Sequence, residues 1–293
     1  MNILINFRHY PVAMGRWFDW AFRDLGHEVF SVGNYSGSKI PWGPEFDYPK
    51  YMFPPDYQIP EGDYPLAAVL SEIDFKPELI IQAGDTTYLP GKAPCPNVMI
   101  LTDPHVVDYS PRFQYADLVC NMQHSYMKPG QVHIPYAFYP PVHRTIVMEK
   151  TYDIVLSGLQ YGERKEIMDK CASAGLRTFN GLGKIYDEYC QLYNSSIMSL
   201  CYPSKNDLPA RFWEGLAMKT LVLCKRIPEL QQFDFVDGVD YVGFDSIDEA
   251  VEKAKYYAAH PLEAAVIAEN GWTKVQPHTY YQRAKDILWH LQK

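Results

Sequence analysis

The chain has 293 residues, 47% hydrophobic and 21% charged, which is enough for two domains with real cores and too little charge for a disordered chain. Its 35 acidic residues outnumber 27 basic ones, a formal charge of −8, which argues against a surface built to grip nucleic-acid phosphates. Six cysteines, none spaced C-x-x-C, read as buried free thiols of a reducing compartment and not as a zinc site or a disulfide framework. The start MNILINFRHY has too short an apolar run for a signal peptide, and no run of about 18 apolar residues occurs, so a cytoplasmic protein without a membrane span is expected.

In chain order, ILINF (3–7) has strand length. Trp17, Trp20, Ala21 and Leu25 then recur at helical spacing up to Gly26, and HEVFSV returns to a strand. Such a β-α-β unit predicts a parallel sheet. Residues 36–65 hold seven prolines and are expected to carry no regular element; a loop of that length is a surface excursion or a cover over a cleft. The alternation resumes with a helix at LAAVLSEI, strands at PELIIQAGD and NVMILTDPH, and short strands at ADLVCNMQ and QVHIPYAF. The proline-rich, then charged segment 135–151 marks a domain boundary. Beyond it come strand YDIVLSG, helix ERKEIMDKCASAG, strand LRTFNGLG, helix YDEYCQLYNSS, strand IMSLCYP, helix DLPARFWEGLAMK and strand LVLCK. Two helices follow over 247–275, and a last amphipathic one places Tyr281, Ala284, Leu288 and Leu291 on one face.

Ligands of open α/β sheets bind beyond the carboxyl ends of the strands, so the residues there are the candidates for chemistry. His9 follows the first strand, and Asp103 and His105 follow NVMIL. After YDIVLS, Gly158 and Gly162 bracket a turn into a helix whose first turn holds Arg164 and Lys165. Free N–H groups, a helix dipole and a guanidinium suit phosphate oxygens; the same residues also suit a solvated helix start paired with Glu163, Glu166 or Asp169. Neither a Walker loop nor a G-x-G-x-x-G fingerprint is present. In NDLPARFWEGLAMKT, Asn206 and Asp207 are candidate N-caps, Pro209 fits the first turn, and Leu208, Phe212 and Leu216 face a core. Arg211 and Glu214 lie on another face. They suit a diphosphate and a ribose, or an exposed i,i+3 ion pair, and the residues alone leave both open.

ARFWEGLAMKTLVLCKRIPEL resembles the R-x-[FW]-E-x-x-A-x-x-x-x-[LV] signature of the CgeB-like branch of the GT-B glycosyltransferases. The strand-turn VLSGLQYGERKEIM with Arg164, the joining segment HIPYAFYPPVHR, and the tail from DYVGFDSIDEA to QRAKDIL follow the same family's order, and LGHEV is common in the superfamily. The resemblance is good over about 132–293 and weak over 1–131. It departs at Asn206, which stands where the retaining motif carries its first glutamate, with Asp207 beside it. The resemblance implies an α/β chain of two Rossmann-like domains facing a central cleft. Residues 1–140 would bind the acceptor, 141–278 would bind the donor, and 279–293 would be a helix returning to the first domain. It implies a retaining, metal-independent hexosyltransferase without cofactor, using a nucleotide-diphosphate sugar, a UDP-sugar. Glu214 would meet the ribose, and Gly158, Arg164, Lys165 and Arg211 would lie near the diphosphate, with Asn206 and Asp207 beside the donor. His9, Asp103 and His105 would face the sugar or its acceptor. The acceptor itself is open: glycan, lipid, protein, metabolite or modified nucleobase, with nucleic acid disfavoured by charge. The alternatives of the same fold are a nucleotide-sugar-binding protein without turnover and a sugar-nucleotide epimerase.

Overall fold

The computed structural model describes residues 1–40, 48–84 and 86–293. The chain divides into two compact units, Met1–Pro135 with Tyr280–Lys293, and Tyr136–Thr279.

The first unit runs β1 (Asn2–Asn6), α1 (Met14–Asp24), β2 (Glu28–Gly33), β3 (Tyr57–Gln58), β4 (Gly62–Asp63), α2 (Leu66–Glu72), β5 (Leu79–Gln82), β6 (Thr87–Tyr88), β7 (Asn97–Leu101), β8 (Leu118–Asn121) and β9 (Val132–His133). Seven strands pair in parallel in the order β3-β2-β1-β5-β7-β8-β9. The central strands read as unbroken apolar runs (Ile3, Leu4 and Ile5 are all fully buried) because a parallel sheet is covered on both faces. The order reverses between β1 and β5.

The proline-rich loop corrects one expectation. Within 36–65, β3 joins the edge of the main sheet, β4 pairs with β6, and Pro49–Tyr51 forms a 3-10 turn. The prolines flank these two-residue strands and so remove no ladder hydrogen bond. Residues 41–47 of that loop, and Asp85 after β5, lie outside the described residues.

The second unit contains β10 (Tyr152–Ser157), α3 (Glu163–Ser173), β11 (Thr178–Gly181), α4 (Tyr186–Asn194), β12 (Ser196–Cys201), α5 (Ala210–Ala217), β13 (Leu221–Lys225), β14 (Val242–Phe244), α6 (Ile247–Ala259) and α7 (Pro261–Val275). Its five strands are parallel in the order β11-β10-β12-β13-β14, so the order reverses between β10 and β12. One sheet face packs Ile154, Leu156, Met198, Leu200, Leu221 and Leu223 with residues of α3, α6 and α7. On the other face Val222 and Cys224 pack with Phe212, Trp213 and Leu216 of α5.

The last helix, α8 (Tyr280–Leu291), belongs to the first unit. Tyr280 sits edge-on to Phe18 of α1 at 5.2 Å, the Tyr281 hydroxyl donates to Asp24 at 2.8 Å, and Arg283 Nε donates to the Pro135 carbonyl at 3.0 Å. The buried stripe is Tyr280, Ala284 and Ile287, with Tyr281, Leu288 and Leu291 half-buried at its margin. The helix is thus rotated slightly from the face its sequence suggests, because the ring of Tyr280 fills the space beside Phe18. Cys95 is partly buried, the other five cysteines are buried, and all six are free. Among the described residues, no helix is long and apolar enough to cross a membrane.

Candidate functional site

Strand-order reversal opens a crevice at the carboxyl ends of the two flanking strands, because the crossovers leave in opposite directions there. In the second unit those ends are Ser157 of β10 and Cys201 of β12. The chain leaves β10 through Gly158. A Cβ on that residue would sit 2.4 Å from Nη2 of Arg211, so the glycine is what lets the guanidinium lie against the strand end. Arg211 projects from the first turn of α5 and donates from Nη2 to the Ser157 carbonyl at 3.2 Å, while its buried Nε makes no hydrogen bond among the described residues. One turn on, Glu214 is 13% exposed; its Oε2 accepts from the Tyr189 hydroxyl at 2.7 Å, and Nε2 of His143 stands 3.5 Å from Oε1. Among the described residues Arg211 and Glu214 form no ion pair with each other. The exposed i,i+3 pair is therefore absent, and α5 buries Phe212, Trp213, Leu216 and Ala217 on its other sides.

Arg164 lies in the first turn of α3 with 3% of its surface exposed. Its Nε and Nη2 both donate to the Tyr202 carbonyl, at 2.8 and 2.6 Å, and its guanidinium carbon lies 3.9 Å from the Tyr161 ring centre. This fork straps the β10–α3 turn to the chain leaving β12. Burial, and then the charge of Arg211, lower its pKa to about 10, so it remains a cation at neutral pH. Among the described residues neither Arg164 nor Arg211 has a carboxylate ion-pair partner.

The other residues singled out in this unit are placed differently. Lys165 points to solvent and pairs with Asp169 at 2.5 Å, the arrangement of a solvated helix start. Asp207 is buried, and its Oδ1 accepts from Ser204 Oγ at 2.8 Å and from Lys205 N–H at 2.7 Å. It closes its own loop. The expectation that Asn206 or Asp207 caps the helix is corrected: the N-cap is Pro209 and α5 has no side-chain cap. Asn206 is exposed.

Three groups at this end of the sheet were not anticipated. Lys225, at the end of β13, donates to the Tyr202 hydroxyl at 2.8 Å and stands 3.3 Å from Glu163, which also accepts from that hydroxyl. Its signal was available, since LVLCK ends a strand at the lysine. Tyr189 and His143 carry no such local signal.

In the first unit, His9 follows β1. Its ring stacks on Phe7 with centroids 3.8 Å apart, its Nε2 lies 3.3 Å from the Val32 carbonyl, and it is 1% exposed. Burial, aided by Arg16, holds its pKa down at about 3, so the ring is neutral. Asp103 and His105 are half-buried in the turn after β7, where the Asp103 carbonyl accepts from the N–H groups of Val106 and Val107. His105 shares with Asn121, Tyr126 and Lys128 the wall of a cavity of about 240 Å³ beyond the ends of β7 and β8. Among the described residues, no three His, Cys, Asp or Glu side chains converge as a metal site would require.

Residues 147–289 match the family model described as glycosyl transferase-like. No curated protein matches the chain significantly in sequence. In three dimensions the chain resembles sucrose-phosphate synthase from Thermosynechococcus elongatus, with TM-score 0.65, 13% identity, and 99% of this chain and 98% of the other covered. It resembles an alpha-glucosyltransferase solved with UDP-glucose and DNA containing an abasic site, with TM-score 0.65, 10% identity and 100% of both chains covered. It also resembles HepE from Anabaena solved with UDP and glucose, with TM-score 0.65, 12% identity, and 100% of this chain and 99% of the other covered. At these identities the likeness shows the fold, which is the GT-B fold of glycosyltransferases.

Proposed function

We propose that the chain is a glycosyltransferase that takes a UDP-sugar as donor in its second unit and passes the sugar to an acceptor hydroxyl. The observation that carries this reading is the pair Arg164 and Arg211. Among the described residues these two guanidiniums, Arg164 buried and Arg211 half-buried with its Nε buried, have no carboxylate ion-pair partner beside the reversal between β10 and β12, and withdrawing unpaired charge from water is costly unless a ligand supplies the counter-charge. A diphosphate does so. As the glycosidic bond breaks, the leaving diphosphate gains charge, and the Arg211 guanidinium with the uncapped first turn of α5 stabilises it. Glu214 accepts the two ribose hydroxyls. The reaction needs no metal in this reading, because guanidiniums and helix dipoles carry the electrostatic work. The R-x-[FW]-E signature supports membership of the CgeB-like branch, and retention of configuration, a hexosyl donor and a cytoplasmic site belong to the same reading. UDP and UDP-glucose in the solved HepE structures support the choice of nucleotide. The net charge of −8 favours a metabolite, glycan or protein acceptor over DNA.

Asn206, standing where the retaining motif has a glutamate, favours one second reading, a nucleotide-sugar-binding protein without turnover. Product formation with a donor panel separates the two. For the donor site itself the test is calorimetry with UDP and uridine in the presence of EDTA. Glu214→Gln is expected to lose about 1.5–3 kcal/mol of UDP binding, roughly ten- to a hundredfold, by removal of charge-assisted hydrogen bonds. Arg211→Ala is expected to weaken UDP far more than uridine. Both variants binding UDP like the parent, while folded, overturns the reading.

A further inference from the structure

Behind Glu214 stand two groups that no sequence motif marks, and they come from two distant parts of the second unit. The first is His143. In the segment Tyr139–His143 the chain closes a tight turn: the His143 N–H donates to the Tyr139 carbonyl at 2.9 Å, and the Tyr139 N–H donates to Nδ1 of His143 at 3.0 Å. Pro140 and Pro141 fill the middle of this turn, where their fixed φ pre-sets the bend. Because Nδ1 accepts a backbone hydrogen bond, the proton of a neutral imidazole sits on Nε2, the atom 3.5 Å from Glu214 Oε1. The ring is 3% exposed, and burial lowers its pKa against the opposing pull of Glu214, which keeps it neutral. The second group is Tyr189 of α4, whose hydroxyl donates to Oε2 at 2.7 Å, with its ring edge-on to the imidazole at 6.0 Å.

Each carboxylate oxygen has two acceptor sites. Oε2 accepts from Tyr189 on α4 and Oε1 faces Nε2 of His143 in the Tyr139–His143 turn, one acceptor site on each oxygen is left over, and the two groups set the direction of those left over. Two neighbouring hydroxyls on a five-membered sugar ring demand that geometry. Resting on the donor reading above, we infer that His143 and Tyr189 are positioning residues that orient the Glu214 carboxylate for a cis-diol, and that this clamp selects ribonucleotide over 2′-deoxyribonucleotide donors. A neutral imidazole serves here better than a cation would, since an imidazolium would draw off the carboxylate charge that the hydroxyls need.

The test measures calorimetric affinities for UDP, 2′-deoxy-UDP and inorganic diphosphate on the full chain. Tyr189→Phe is expected to weaken UDP by about three- to tenfold, the worth of one oriented hydrogen bond, and His143→Leu by a smaller factor, since the His143 Nε2 stands 3.5 Å from the carboxylate. Their UDP to deoxy-UDP ratio should fall toward that of Glu214→Gln, while diphosphate affinity stays at the parent value. A merely structural loosening of the site would weaken diphosphate as well. His143→Gln, which keeps a donor at the Nε2 position, should recover most of the ratio. Tyr189→Phe alters a single oxygen and keeps the core volume, so it decides the matter if the leucine variant does not fold. An unchanged ratio in Tyr189→Phe and His143→Leu, with Glu214→Gln impaired, overturns the clamp and leaves the donor reading standing. An unimpaired Glu214→Gln overturns both.

Discussion

Gly158 shows how one missing Cβ sets an electrostatic site. The atom that an alanine methyl would meet is the far end of Arg211, a flexible side chain that can swing away, so the local fold should survive the substitution while the guanidinium is displaced. Gly158→Ala is expected to cost roughly 1–2 kcal/mol of stability, since its φ of 155° suits glycine, and to weaken UDP by about tenfold or more. The double variant with Arg211→Ala should bind UDP no worse than Arg211→Ala alone, because both changes remove the same contact. Additive losses measured in that cycle would mean Gly158 acts by another route. At this scale the sequence showed where Arg211 and Glu214 fall, on a helix after a strand, but not what holds them. Tyr189 and His143 reach Glu214 through tertiary packing of α4 and the Tyr139–His143 turn, and no spacing in the chain reports that. Lys165 and Asp207 have the right residue types at the right strand ends, yet each spends its charge on a near neighbour.

Among the elements, those with a period long enough to register were legible: β1, β5, β7, β10, β12 and β13 as apolar runs, and α1, α3, α6 and α7 as helical repeats. The two-residue strands β3, β4 and β6 were not, because two residues carry no period and their pairing depends on partners elsewhere. The face of α8 was legible to within one position. Its rotation follows from the contact of Tyr280 with Phe18, which no local pattern contains. Tyr280 is fully buried and the helix returns to α1 from the far end of the chain, so Tyr280→Ala should cost about 3–5 kcal/mol, the usual loss for a large aromatic cavity. Urea denaturation checks this, and a change below about 1 kcal/mol would show α8 to be a weakly held tail.

On the scale of the whole molecule, each unit buries one neutral histidine, His9 and His143, both with pKa values lowered first by burial. In the unfolded chain a histidine binds its proton near pH 6.5; the folded chain resists until His9 reaches about 3. Between those values the unfolded state holds more protons, so stability rises with pH across the window: it is complete above 6.5 and is lost on acidification toward 3. The slope is at most about 1.4 kcal/mol per pH unit for each histidine. Denaturation midpoints at pH 7.5 and 5 measure it, and His9→Gln should flatten part of the fall; equal midpoints in the parent would refute the linkage. The division of the chain carries a consequence of another kind. The first unit is made of Met1–Pro135 and Tyr280–Lys293, so the second is inserted within it. On the ribosome the usual rule that the earlier domain folds first is then reversed. The inserted unit has all its strands in hand once Thr279 emerges, whereas the unit begun first waits for α8, with Phe18 lacking its Tyr280 neighbour until that helix emerges. A nascent chain stalled before Tyr280 would present a complete second unit and an incomplete first one, a natural target for chaperones.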